Sequence, residues 1–169
     1  MPNASGFGRL GWITLSLAEL VFDQLSKAHF RGSLQLYQQI VVVPDYLSLT
    51  LSYNAGAAFS FLADCSGWQR WLFVMIAVVV SLAMIVWLRR LGRYDTWLAI
   101  ALSLILGGTL GNLYDRITLG HVIDFILVHW ENRWYFPAFN FADSAITIGV
   151  IILALGMFKS KKYPEAVSD

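Results

Sequence analysis

Cysteine is nearly absent. Cys65 stands alone, which excludes an internal disulfide framework and any multi-cysteine metal or cluster site. Charge is scarce too: Asp, Glu, Lys and Arg make up 14% of the chain against 57% hydrophobic residues, where soluble domains carry roughly a quarter charged residues. The net charge is only +1, and the basic residues flank apolar runs instead of forming a stripe, so nothing points to a nucleic-acid partner. The chain lacks an internal repeat and a low-complexity linker, which argues against a carrier built from inverted halves. It also lacks an H-E-x-x-H helix, the local signature of a zinc peptidase.

What is present is a set of long apolar stretches. Residues 10–28, 71–88, 96–113 and 141–158 each approach the roughly 20 residues that cross a hydrocarbon core. The sequence therefore predicts a membrane α-helical protein with four transmembrane helices in one domain covering residues 1–169. Arg9 precedes the first stretch, Arg89, Arg90 and Arg93 lie between the second and third, and Lys159, Lys161 and Lys162 follow the fourth. The positive-inside bias puts these segments, and both termini, in the cytoplasm. Trp12, Trp87 and Trp97 fall at that level and Trp68, Trp71, Trp130 and Trp134 at the opposite one, as two interfacial belts require. Arg9 before an apolar run resembles a cleavable signal, but Glu19 and Asp23 inside the run favour a retained span.

Residues 30–69 and 114–140 are then extracytoplasmic. In the first, Leu47, Leu49, Leu51 and Tyr53 alternate with Ser48, Thr50 and Ser52, the period of a half-buried strand. Val41 to Val43 are β-prone and run into Pro44 and Asp45, which suit a turn. A small antiparallel sheet over the membrane face is expected, followed by a turn at Asn54-Ala55-Gly56 and a short interfacial helix reaching Leu62. Leu62-Ala63-Asp64-Cys65 carries Asp where a lipid-modification box has a small residue, so Cys65 reads as passive. The second connection holds a β-prone stretch, residues 121–128, and an aromatic segment, residues 130–141, suited to the lipid headgroups.

Several polar residues sit where lipid disfavours them. Glu19, Asp23 and Lys27 recur every four residues and share one helix face. A charge near the bilayer centre costs roughly 2.5 to 3.5 kcal/mol, so that face turns inward. Gly107 and Gly111 form a small-xxx-small pair for close helix approach. Asn112, Asp115 and Arg116 put polar groups on the outer turn, where Arg116 can neutralise a carboxylate or bind a substrate carbonyl. Asp124 lies in apolar Val122-Ile123-Asp124-Phe125-Ile126 with no basic neighbour. Asp143, three residues after Asn140, reads alone as half of a capping box. The predicted topology brings both aspartates to one membrane face. Two carboxylates sharing a desolvated site cannot both ionise cheaply, so the pair supplies an acid and a base. A metal site from His121, His129 and Asp124 is the weaker alternative. From other classes, a proton- or cation-coupled carrier using Glu19, Asp23, Asp124 and Asp143, or a non-catalytic membrane subunit, also has to be weighed.

Five blocks in order carry a family resemblance: Asp23-Gln24-Leu25-Ser26-Lys27, Asn54-Ala55-Gly56-Ala57-Ala58-Phe59, Gly107-Gly108 through Asn112 to Asp115-Arg116, Val122-Ile123-Asp124-Phe125, and Phe139-Asn140-Phe141-Ala142-Asp143. In these the chain resembles the lipoprotein signal peptidases, the type II bacterial signal peptidases, which are aspartic intramembrane peptidases. The resemblance implies cleavage of a prolipoprotein just before a lipobox cysteine that already carries a diacylglyceryl group. It implies a bacterial inner-membrane location, with the site near the outer leaflet facing the periplasm. Asp124 and Asp143 match the catalytic dyad. Asn54, Gly56, Gly108, Asn112, Asp115, Arg116, Asn140 and Ala142 match residues that line or support the site, and Asp23 and Lys27 match a supporting pair. No metal or organic cofactor is implied. The partners are the prolipoprotein and membrane lipid, and a dyad contained in one chain fits a monomer. Glu19 lies outside the five blocks.

Overall fold

The computed structural model describes residues 9–56, 67–91, 95–131 and 133–160. Four helices dominate these residues: α1 (Arg9–Ser33), α2 (Trp68–Arg90), α3 (Thr96–Thr118) and α4 (Phe141–Ser160). The strands β1 (Gln39–Val43), β2 (Leu47–Asn54), β3 (Val122–Trp130) and β4 (Trp134–Tyr135) form a sheet of order β1-β2-β3-β4. All its pairings are antiparallel. A helical chain with a small antiparallel sheet is thus as expected. The interfacial helix expected up to Leu62, Cys65, Arg93 and the lysines at 161 and 162 lie outside the described residues.

The bundle wears its apolar side outward. On α1, Leu17, Val21, Phe22 and Leu25 are exposed while Ser16, Asp23 and Lys27 are buried, so the face repeating every four residues does turn inward. Met75, Val79 and Leu82 of α2 and Ile148, Ile151 and Leu155 of α4 are likewise exposed. Two helices, α2 and α3, are long and apolar enough to cross a membrane. In α4 the apolar stretch spans Phe141–Gly156, and α1 is broken up by its own charged face.

Helix α3 is the central post because its glycines let two neighbours touch its backbone. A Cβ on Gly107 would stand 2.7 Å from the carbonyl oxygen of Ser16 in α1, and one on Gly108 would collide with the carbonyl oxygen of Ala142 in α4. Helix α3 runs one turn past its apolar stretch and ends where Leu119 N–H donates to Asp115 O at 2.7 Å. Gly120, at φ +84°, then takes the left-handed turn that few other residues accept. That extra turn carries Asp115 and Arg116.

The sheet sits at this end of the bundle. Ser52 pairs with Asp124 and Asn54 with Val122 in the β2–β3 ladder, so Asn54 lies diagonally across from Asp124 on one face. Phe139 N–H donates to Ile126 O at 3.0 Å, and Phe139 O accepts from Phe125 N–H and Ile126 N–H. This bridge pins the start of α4 to β3. Rings reinforce it: Phe125 stacks on Phe30 with centroids 4.3 Å apart and meets Phe141, which in turn meets Phe22.

The strand prediction for β2 needs one correction. The alternation is there, but the buried side includes Ser48, Thr50 and Leu51, while Tyr53 is exposed. A register shift between Leu49 and Ser52 moves Leu51 inward, as a bulge does. Ser48 tolerates burial because its hydroxyl meets His129 Nε2 at 3.0 Å. His129 Nδ1 faces Glu131 O at 3.0 Å; a carbonyl only accepts, so Nδ1 carries the proton and Nε2 accepts from Ser48.

Candidate active site

Buried charge lies below the sheet. Lys27 Nζ is 2.7 Å from Asp23 Oδ2 and 2.9 Å from Asp115 Oδ2, with all three side chains almost fully buried. A buried pair survives only when its remaining polar atoms are satisfied, and here they are. Asp23 Oδ1 accepts from Ala142 N–H at 3.0 Å, and Asp115 Oδ2 accepts from Ile123 N–H at 3.3 Å. Gln24 Nε2 donates to Asp115 Oδ1, Asp23 Oδ2 and Gly111 O. The Asp23–Lys27 pair is therefore more than a local neutralisation on α1: it ties α1 to α3, α4 and β3.

From this cluster the hydrogen bonds lead to the aspartates in a fixed direction. Lys27 Nζ donates to Asn112 Oδ1 at 3.0 Å. That sets the Asn112 amide, because its oxygen must face the ammonium and its NH2 must face away. Asn112 Nδ2 accordingly donates to Asp143 Oδ1 at 2.8 Å. Asn140 works the same way. Its Oδ1 accepts from Asp143 N–H at 2.9 Å, its own N–H donates to Asp143 Oδ2 at 3.2 Å, and its Nδ2 donates to Asp124 Oδ1 at 2.7 Å. The capping box read from the sequence is thus real, and the same two residues also join the aspartates. Helix capping and site membership are not alternatives here.

Asp124 is 2% exposed, and Asn54 Nδ2 donates to its Oδ2 at 3.2 Å. Asn54 Oδ1 in turn accepts from Gly56 N–H at 3.0 Å. Burial, and then the charge of Asp143, pushes the Asp124 carboxyl up to about 7, against partial opposition from Asn54, Asn140 and Lys27. A carboxyl there can hold a proton near neutral pH and release it readily.

Asp143, Asn112, Asn54 and Arg116 line a cavity of about 510 Å³, walled on one side by Phe136 to Phe139 and floored by Ser144, Ile146, Thr147 and Ile148 of α4. Asp124 and Asn140 do not line the cavity themselves; Asp124 meets it through Asn54. Arg116 donates from Nη2 to Gly56 O at 3.2 Å and from Nη1 to Asn112 O at 3.3 Å, and its guanidinium lies over the Phe73 ring of α2. Its buried Nε meets no acceptor among the described residues.

Every described residue expected at the site is gathered here: Asp23, Lys27, Asn54, Gly56, Gly108, Asn112, Asp115, Arg116, Asp124, Asn140, Ala142 and Asp143. Glu19 is not. It packs on Gly107, and both its carboxyl oxygens are buried without a partner among the described residues. Neither His121 nor His129 is bonded to the aspartates: His129 is taken up by Ser48 and Glu131, and His121 lies against the Tyr53 ring at 4.2 Å. Among the described residues no three His, Cys, Asp or Glu side chains converge as metal ligands. One contributor was missed by sequence reasoning: Gln24, which stands inside a motif without an assigned role. The aromatic segment expected at the headgroups supplies residues 136–139 to the cavity lining.

Residues 15–159 match the family model for signal peptidase (SPase) II. The chain belongs to the signal peptidase II family. Relatives agree along the whole length. A lipoprotein signal peptidase of Pseudomonas fluorescens is 76% identical over 100% of both chains, and that of Pseudomonas aeruginosa PAO1 is 66% identical over 98% of each. Among solved structures, a bacterial membrane enzyme determined in meso at 2.3 Å resolution superposes with a TM-score of 0.79, at 30% identity, covering 94% of each chain. A second, at 1.9 Å resolution, gives 0.75 at 31% identity, covering 88% of this chain and 92% of the other. Membership in this family makes the chain a peptidase.

Proposed function

We propose that the chain is an intramembrane aspartic endopeptidase that removes the signal peptide from diacylglyceryl-modified prolipoproteins, cutting just before the lipidated cysteine. The observation that carries this reading is the single amide of Asn140 holding Asp124 and Asp143 together beside the cavity. Asp143 faces the cavity in the first turn of α4, where Asn112 Nδ2 and the N–H of Asn140 donate to its two oxygens. It serves as the base that takes a proton from water as the oxygen attacks the scissile carbonyl. Asp124, buried and neutral, gives its proton to the carbonyl oxygen. When the tetrahedral intermediate collapses, the C–N bond breaks, Asp143 returns its proton to the departing nitrogen, and Asp124 recovers one from the gem-diol. Water is consumed and the dyad is restored. Arg116, with an unused N–H beside the cavity, is suited to a backbone carbonyl of the substrate.

The same reading makes all of residues 1–169 one domain with four spans, both termini in the cytoplasm and the site near the outer leaflet of the inner membrane. The exposed apolar faces of α1, α2 and α4 support lipid around them. The exposed arginines at the end of α2, opposite the sheet, support the orientation. A single chain supplies the whole dyad, so a monomer suffices, and no metal or organic cofactor takes part.

The test is cleavage of a diacylglyceryl-modified prolipoprotein by purified protein. The parent should cut it, with unchanged rate after exhaustive chelation. Asp124→Asn and Asp143→Asn should each lose roughly two to four orders of magnitude, the weight of a positioned acid or base. Persistent cleavage in either variant would sink the assignment, and dissipation of an ion gradient by a parent that never cleaves would favour the carrier.

A further inference from the structure

A second concavity lies at the other end of the molecule. It has a volume of about 600 Å³ and is lined by Leu82, Ala83, Val86, Trp87, Arg90 and Leu91, none of which borders the cavity at Asp143. Leu82 is 58% exposed and Val86 46% exposed, so the trough opens outward. Among the described residues Arg90 is its one charged lining residue. It sits in the last turn of α2 beside Arg89, and no carboxylate among the described residues pairs with it.

The dimensions fit one kind of occupant. From residue 82 to residue 91 a helix rises about 13 Å, close to the roughly 15 Å that one leaflet contributes to a 30 Å hydrocarbon core. An apolar trough one leaflet long, with an indole and a guanidinium at its polar end, matches an acyl chain below an anionic headgroup. Guanidinium also offers a forked donor set suited to phosphate. Other occupants fit poorly. A signal peptide carries a basic n-region that Arg89 and Arg90 would repel. A second copy docked by a two-fold axis through this face would bring the same arginines together.

We infer that this trough holds one anionic glycerophospholipid of the arginine-side leaflet, its chain along Leu82, Ala83 and Val86 and its phosphate on Arg90. The site rests on the membrane placement of α2 and is independent of the dyad. The test is native mass spectrometry of full-length protein in detergent, titrated with phosphatidylglycerol or phosphatidylcholine of identical acyl chains. The first phosphatidylglycerol should bind about fivefold more tightly, the preference expected from one cation at the headgroup. Arg90→Gln should bring the ratio to about one, and Arg89→Gln should leave most of it. Ala83→Trp, which fills the trough, should weaken both lipids, and glycerol 3-phosphate without chains should not compete. Equal affinities in the parent, an unchanged ratio in Arg90→Gln, or undiminished binding in Ala83→Trp would each overturn the site. A parent that selects phosphatidylglycerol yet never cleaves prolipoprotein would leave the lipid site standing and remove the peptidase reading instead.

Discussion

Asn140 donates to Asp124 Oδ1 at 2.7 Å while its own side-chain oxygen accepts from the N–H of Asp143. One residue therefore caps α4 and orients an aspartate on another element, and the two roles can be separated. Asn140→Ser keeps an oxygen able to cap but has no amide to offer Asp124, whereas Asn140→Ala loses both. The alanine variant should unfold more easily by about 1 kcal/mol from the missing cap, and serine should restore most of that. Cleavage should fall in both by roughly two orders of magnitude. Single-turnover rates beside melting curves check this, and a serine variant with parental rate would show that the Asp124 contact is dispensable.

Asp124 makes the pH dependence of stability informative. Its carboxyl is raised from an ordinary 3.8 to about 7, first by burial and then by Asp143. Between these values the folded protein keeps a proton that the unfolded chain has released. Stability from this group is therefore fully present below about pH 4 and declines as pH rises towards 7, by on the order of 4 kcal/mol if the whole shift is expressed. Asp124→Asn cannot lose that proton. Its melting temperature should gain on the parent's from about pH 4 to about pH 7 and then level off, and parallel curves would contradict the burial described here. In the parent, cleavage should decline above about pH 7 as the acid is lost.

The helices and the inward face of α1 were legible because lipid imposes simple rules: long apolar runs, and charges recurring every four residues. Helix ends were not. Hydropathy stops at Leu113, while α3 continues through Asp115 and Arg116 to Thr118, because a helix ends at its cap and not where its side chains turn polar. The alternation in β2 located the strand but not its buried side, since a period of two cannot register the shift between Leu49 and Ser52. Asp124 and Asp143 could be nominated as a pair only through topology. What joins them, the pairing of Phe139 with Ile126, is a long-range contact without a local signal. Gln24 escaped for the same reason: its principal partner, Asp115, lies 91 residues away.

Among the described residues, Glu19 is the one shielded carboxyl that nothing in the site employs. Both its oxygens are shielded and unpartnered among the described residues, and its side chain rests on Gly107. An unsatisfied buried polar group costs about 1–3 kcal/mol, which an apolar side chain of similar size would not incur. Glu19→Leu should therefore fold at least as stably as the parent, melt a few degrees higher and cleave prolipoprotein within about twofold of the parental rate. A large loss of activity in a well-folded Glu19→Leu variant would reveal a function for this carboxyl that its position does not suggest.

Lys27 is the opposite case, a buried cation whose removal leaves charges behind. With Lys27 between Asp23 and Asp115, the cluster sets one amine against two carboxyl groups. Lys27→Met leaves two unpaired carboxylates and loosens Asn112, whose oxygen keeps only the longer bond from Asn140 Nδ2 at 3.3 Å. Breaking a buried pair from one side costs about 3–5 kcal/mol, so this variant should express poorly, melt well below the parent and lose cleavage. Adding Asp23→Asn removes one orphaned charge and should recover part of the stability, making the double variant more stable than Lys27→Met alone. The rate should stay low in the double variant, because the Asn112 amide that steadies Asp143 still lacks the shorter and charged of its two donors. If stability and rate instead recover together, the cluster acts on Asp143 only through the fold, and the path from Lys27 through Asn112 carries no separate role.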